Sequence, residues 1–190
     1  DGFNGLLTIN LIIINSILAY INLADGINEF SIVIIGQIII LFSFLLFNFP
    51  RAKIFLGDSG SYLLGSLVAI NIIITNNLNP DYSSFFFCIL LFYLFFEVFF
   101  SFFRKIIQKK SPIHPDNKHL HMLIFEKVAL IFGKDKGNYI NSLIINLGYL
   151  SFILPAFVFA KDPVVSRYWF FSLIVIYLVI YLRLYRLTKN

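Results

Sequence analysis

Apolar residues in this chain fall into six long blocks, 6–23, 31–47, 61–75, 83–103, 141–160 and 168–184. A helix needs roughly 17–25 apolar residues to cross a hydrocarbon core of about 30 Å, so the blocks predict six membrane-spanning helices. The block at 61–75 is short and is expected to extend back through Ser59. Polar stretches at 24–30, 48–60, 76–82, 104–138 and 161–167 separate the blocks, and only 104–138 is sizeable. Within it Leu120, Leu123, Ile124, Val128 and Ile131 recur at helical spacing up to Gly133. This predicts an amphipathic helix lying in the membrane interface. The predicted fold class is therefore all-α, a polytopic transmembrane bundle, with no internal repeat.

Composition strengthens this reading. The 190 residues are 59% hydrophobic and 13% charged, whereas about a quarter of the residues in soluble domains are charged. The single cysteine, Cys88, excludes a disulfide framework and a cysteine metal site. Of the 15 Lys and Arg, 13 lie in 48–60, in 104–138 or from Arg183 onward. Positive loops stay in the cytoplasm, so residue 1, Asp58, the basic loop and the C-terminus are all expected on that side. The loop 104–138 carries eight Lys and Arg against three acids and accounts for the net charge of +5. Such a surface suits anionic lipid or a phosphorylated substrate. The chain starts at Asp1 and has no basic segment ahead of a short apolar core. We therefore expect no signal peptide, and we expect the chain to be the C-terminal part of a longer membrane domain.

Four polar constellations interrupt the apolar pattern. The stretch 52–65 places Lys53, Asp58, Ser59, Ser61 and three glycines between two apolar blocks. Asp58 reads either as a helix N-cap or as a functional carboxylate. Gly57, Ser61, Gly65 and Ala69 recur every fourth residue, a small face expected to pack against a neighbouring helix. The second constellation, 1–6, holds Asp1, Asn4 and an Asn-Gly pair that reads as a turn entering a helix. Glu97 lies inside the fourth block, two turns before Arg104-Lys105. It is either paired with a nearby cation or turned toward a polar cavity. Finally, 111–122 holds two prolines, Asp116, Lys118, His119 and His121, the histidines falling at the start of the amphipathic helix. Helix N-termini favour phosphate, while histidines at i, i+2 do not share a helix face and argue against zinc.

Taken together, 47–65, the Asp-Gly-Phe-Asn-Gly-Leu word at 1–6 and the Ser-Pro-x-x-Pro-Asp-x-x-His-Leu-His word at 111–121 resemble the polyprenyl-phosphate N-acetylhexosamine-1-phosphate transferases of glycosyltransferase family 4. Met122 stands where many members have a third histidine, and the loop resembles the N-acetylglucosamine branch more than the phospho-N-acetylmuramoyl-pentapeptide branch. The resemblance implies transfer of a sugar 1-phosphate from a UDP-N-acetylhexosamine to polyprenyl (undecaprenyl) phosphate. UMP is released, as the first membrane step of a cell-wall or lipopolysaccharide glycan in a bacterial inner membrane. It also implies Mg²⁺, with Mn²⁺ as a substitute, held by Asp58. Asp58, His119 and His121 would be catalytic, and Asp1, Asn4, Lys53, Glu97, Arg104 and Lys118 would bind substrate. Asn4 occupies the place of a second family aspartate and supplies hydrogen bonding without charge; Leu94 stands where a proline is common. The adjacent aspartate pair of the family does not occur in these residues, so the chain alone is expected to be inactive. Two other classes fit the hydropathy, a transporter of an anionic solute and a non-catalytic membrane scaffold. The first should show repeats and broken helices, and the second has no reason to gather acids and histidines on one side.

Overall fold

The computed structural model describes residues 2–109, 111 and 118–187. Its helices are α1 (Leu6–Ala24), α2 (Asn28–Asn48), α3 (Gly57–Leu78), α4 (Ser84–Ile107), α5 (Leu120–Phe132), α6 (Lys134–Val158) and α7 (Pro163–Leu187), and the described residues contain no strand. Every helix except α5 is long and apolar enough to cross a membrane. At a rise of 1.5 Å per residue, the 13 residues of α5 reach only about 20 Å and cannot span. Most helices outrun their apolar blocks because backbone hydrogen bonding continues into polar flanks. At the start of α7 the Asp162 carboxylate accepts from the amides of Val164 and Val165 at 2.9 and 3.0 Å, and Pro163 fills the first helical position, where its missing N–H is harmless.

The up-and-down course of the six long helices gives the bundle two ends. At one end the Asn4 amide donates to Asn138 at 2.8 Å, Asn4 Nδ2 to the Pro50 carbonyl at 2.9 Å, and the Gly5 amide to Asn48 at 2.7 Å. The starts of α1 and α6 and the end of α2 thus meet there, and α5 lies at this end as well. At the other end the Ser83 amide donates to the Ala160 carbonyl at 2.8 Å, and the Lys161 ammonium sits 4.7 Å from the centroid of the Tyr82 ring.

Two kinds of contact hold the bundle. Around α1, the most buried of the six, asparagines reach across helices. Asn71 of α3 donates to Asn15 of α1 at 3.0 Å and to Gln37 of α2 at 2.6 Å, while Asn22 donates to Thr75 at 2.9 Å and accepts from Asn79 at 3.0 Å. Such bonds inside a bilayer average about 0.6 kcal/mol each, and they fix register as well as stability. Between α4 and α7, rings at i, i+4 spacing interlock instead: Tyr177 meets Phe96 and Phe100 edge-on at 4.9 and 5.4 Å, and Tyr181 meets Phe100 at 4.6 Å.

The helix predicted from Leu120 onward forms and ends at Gly133, whose φ of 79° lets the chain turn directly into α6. Gly137 then permits close approach: a Cβ there would lie 3.0 Å from Ala129 Cα. Leu120, Leu123 and Val128 are buried, but Ile131, assigned to the same face by periodicity, is exposed because α5 leaves its neighbours in its last turn.

The expectation for α3 needs correcting. Its buried residues are Val68, Asn71, Ile72 and Thr75, in the second half; Gly57 and Gly65 are exposed, with nothing within 4 Å of where a Cβ would stand. Among the described residues the small-residue face is therefore not packed against a neighbour. The asparagine contacts pin the far half of α3 to α1, and the near half stands apart, leaving Ser61 to line a cleft. Asp58 is not the N-cap either. That position is Leu56, no side chain caps it, and Asp58 lies exposed in the first turn.

Candidate active site

Glu97 is a buried carboxylate ten residues before the end of α4, where an unpaired charge would be unfavourable by several kcal/mol. The fold supplies three donors. His119 Nδ1 lies 3.0 Å and the Leu120 amide 2.7 Å from Glu97 Oε1, and the Tyr177 hydroxyl of α7 donates to Oε2. His119 is the N-cap residue of α5, but its side chain makes no cap hydrogen bond. Glu97 fills that role from another helix, accepting an amide that the first turn cannot satisfy and lying in the positive field of the helix terminus. Because a carboxylate accepts, His119 Nδ1 carries the hydrogen, and Nε2 is the ring nitrogen left for a ligand.

His121 stacks on His119 with centroids 5.3 Å apart and planes within 5° of parallel. Phe3 meets its ring edge-on at 5.5 Å, Tyr93 Oη lies 3.5 Å from its Nδ1, and Asn141 of α6 donates to its carbonyl at 3.1 Å. Burial pushes the His121 pKa down to about 4, overriding the Glu97 charge, which pulls it up; His119 adds to the depression. His121 is therefore neutral at pH 7.

These groups border a cleft of about 300 Å³ to which Phe3, Asn10, Ser61, Tyr93, Glu97 and both histidines contribute. A separate apolar cavity of about 260 Å³ lies among α4 to α7, and Tyr93 lines both.

The other predicted residues are placed as follows. Asp58 is exposed one turn before Ser61, and Lys53 is exposed in the segment leading to α3. Asn4 is tied to Asn138 and Pro50 beside the cleft-lining Phe3. Arg104 is buried, with Nη2 donating to Ser101 at 3.2 Å and the guanidinium 5.6 Å from the Tyr181 ring centroid. Lys118 donates to the Tyr185 hydroxyl at 3.3 Å and lies over its ring at 5.2 Å. Asp1, and the part of the histidine word from Pro112 to Asn117, lie outside the described residues. The described residues contain no group of three His, Cys, Asp or Glu arranged to hold a metal. Mg²⁺ is ordinarily held by one or two carboxylates plus substrate phosphates, and an exposed Asp58 at a helix start fits that mode. Glu97 does not, since both its oxygens are engaged by protein donors.

The sequence reading missed Tyr177, Tyr93, Asn141 and Asn10. The available signal was polar atoms inside apolar blocks, above all the Tyr177, Tyr181, Tyr185 repeat.

Residues 1–76 match the family model for glycosyl transferase family 4. The chain is similar to the undecaprenyl-phosphate alpha-N-acetylglucosaminyl 1-phosphate transferase of Thermotoga maritima, 38% identical over 110 residues, which is 56% of this chain and 36% of the relative. It is 33% identical over 127 residues, 64% of this chain and 34% of the relative, to the "probable undecaprenyl-phosphate N-acetylglucosaminyl 1-phosphate transferase" of Bacillus subtilis. The phospho-N-acetylmuramoyl-pentapeptide-transferase of Leuconostoc mesenteroides is 47% identical over 76 residues, 39% of this chain and 23% of the relative. The matched chain thus spans about a third or less of the length of these relatives. No solved structure matches it significantly.

Proposed function

On the premise that residues 1–76 are a glycosyl transferase family 4 segment, we propose that the protein transfers a sugar 1-phosphate from a UDP-N-acetylhexosamine to polyprenyl phosphate. An oxygen of the acceptor phosphate bonds to the sugar-bearing phosphorus of the donor, the bond from that phosphorus to UMP breaks, and a polyprenyl diphosphate sugar results. The longer alignments favour the N-acetylglucosamine branch as donor class.

The observation that carries the proposal is the clamping of His119 by Glu97 at a cleft near one end of a membrane bundle. With Nδ1–H given to Glu97, the imidazolium form of His119 donates Nε2–H to a phosphate oxygen, and Glu97, itself held by Tyr177, fixes the ring before substrate arrives, so no reorganisation is needed as charge develops. Neutral His121, stacked behind it, shields that face from water without adding a second charge. Lys53, Arg104 and Lys118 favour two anionic substrates at this end of the bundle, and Asp1 and Asn4 are assigned to substrate contact. Mg²⁺, or Mn²⁺ in its place, would be held by Asp58 and substrate phosphates and would neutralise diphosphate charge. This end of the bundle is assigned to the cytoplasm on the distribution of Lys and Arg.

The test is to incubate membranes carrying the protein with Mg²⁺, polyprenyl phosphate and UDP-sugars labelled in the sugar. Label should enter the lipid fraction from a UDP-N-acetylhexosamine with one UMP released per sugar. Absence of lipid label from every UDP-N-acetylhexosamine would overturn the assignment.

A further inference from the structure

We propose that Asn10 recognises the acetamido group of the donor sugar, an inference that rests on the function proposed above. Three asparagines lie buried along α1. Asn15 accepts from Asn71, and Asn22 donates to Thr75 and accepts from Asn79. Asn10 differs: it is 1% exposed, both Oδ1 and Nδ2 lack a hydrogen-bond partner, and it lines the cleft that holds His119 and His121. Buried amides are almost always satisfied, so a wholly unsatisfied one at the wall of a cleft marks a place where a ligand completes the bonding.

The chemistry of the side chain narrows that ligand. Nδ2 offers two donors and Oδ1 is an acceptor. Phosphate oxygens only accept, so the diphosphate could engage Nδ2 and would leave Oδ1 bare. A lone hydroxyl meets one end of the carboxamide at a time. A 2-acetamido sugar answers both ends from one side: its acetamido N–H donates to Oδ1, and the oxygen of the adjacent ring hydroxyl accepts from Nδ2. The names of the relatives from both branches contain an N-acetyl sugar, although the rest of their sugar substrates differs. A residue reading that shared group would serve either branch.

The experiment uses the full-length protein, with Asn10→Leu and Asn10→Ala as variants. It measures kcat/KM for UDP-N-acetylglucosamine and for UDP-glucose, which has a hydroxyl in place of the acetamido group, together with ligand-free Tm. Sites built to hydrogen-bond a substrate group discriminate strongly against analogues lacking it, so each variant should lose about tenfold or more in kcat/KM for the N-acetylated donor and little for UDP-glucose. Ligand-free Tm of Asn10→Leu should hold or rise, since an unsatisfied polar group has been removed. Retention of the wild-type preference in both variants would overturn the proposal, as would an equal loss on both donors accompanied by a fall in Tm. Wild-type protein that transfers from no UDP-N-acetylhexosamine would overturn the underlying reaction, and the wild-type arm reports that separately.

Discussion

Glu97 and His119 lie 22 residues apart on different elements, yet one carboxylate oxygen binds both the His119 ring at 3.0 Å and the backbone amide that opens the next helix at 2.7 Å. The orientation of the imidazole and the capping of α5 are therefore one interaction. The hydroxyl of Tyr177 supports it from α7.

Removing that support should act on rate through His119. Glu97→Gln keeps the shape but loses the charge, and Tyr177→Phe removes one donor. Partners that orient a functional histidine are typically worth about 10- to 100-fold, so we expect losses of that order for Glu97→Gln and smaller ones for Tyr177→Phe. Both should alter the pH dependence of turnover. A uniform loss with an unchanged pH profile would reduce the pair to scaffolding.

For Asp58 the expected outcome is different because the residue is exposed and caps nothing. Asp58→Asn should leave stability within about 0.5 kcal/mol, as surface changes do. It should abolish turnover at every Mg²⁺ concentration. Near-normal activity with the wild-type Mg²⁺ requirement would remove Asp58 from the metal site.

His121 makes stability depend on pH. Its folded pKa of about 4 lies below the ordinary 6.5, so between these values the unfolded chain binds a proton that the folded chain excludes. The contribution is fully present above about 6.5 and is lost as pH falls toward 4. Thermal unfolding of purified protein should show Tm declining over that window, with a shallower decline in His121→Phe, which keeps a ring on His119. Identical slopes would show that His121 titrates normally.

The six long helices were legible because membrane spans announce themselves by length and apolarity alone, and α5 because Leu120, Leu123 and Val128 keep helical period up to Gly133. The histidines were legible as a word. Their support was not. The sequence offered Glu97 a cation in Arg104 or Lys105, seven and eight residues on; the fold chose His119 and Tyr177, because pairing across α4, α5 and α7 depends on how aromatic rings interlock, which periodicity does not encode. The small stripe of α3 was misread for a related reason. A run of Gly and Ser shows that a close neighbour is permitted, and the distant Asn71 and Thr75 decide which half of the helix has one.

Gly133 alone joins α5 to α6, and Asn141 of α6 holds the His121 carbonyl. A joint this short, braced a few residues further on, leaves no slack, so a tilt of α6 is delivered to the histidines as a lever delivers it. Bilayer thickness sets the tilt of such helices. Turnover in vesicles should accordingly vary with acyl-chain length, and inserting two glycines after Gly133 should flatten that dependence while lowering the maximum rate. If the insertion leaves both unchanged, α5 moves independently of α6. Should the coupling hold, the thickness of the host membrane becomes a rate-setting variable for the proposed transfer alongside the concentrations of donor and acceptor.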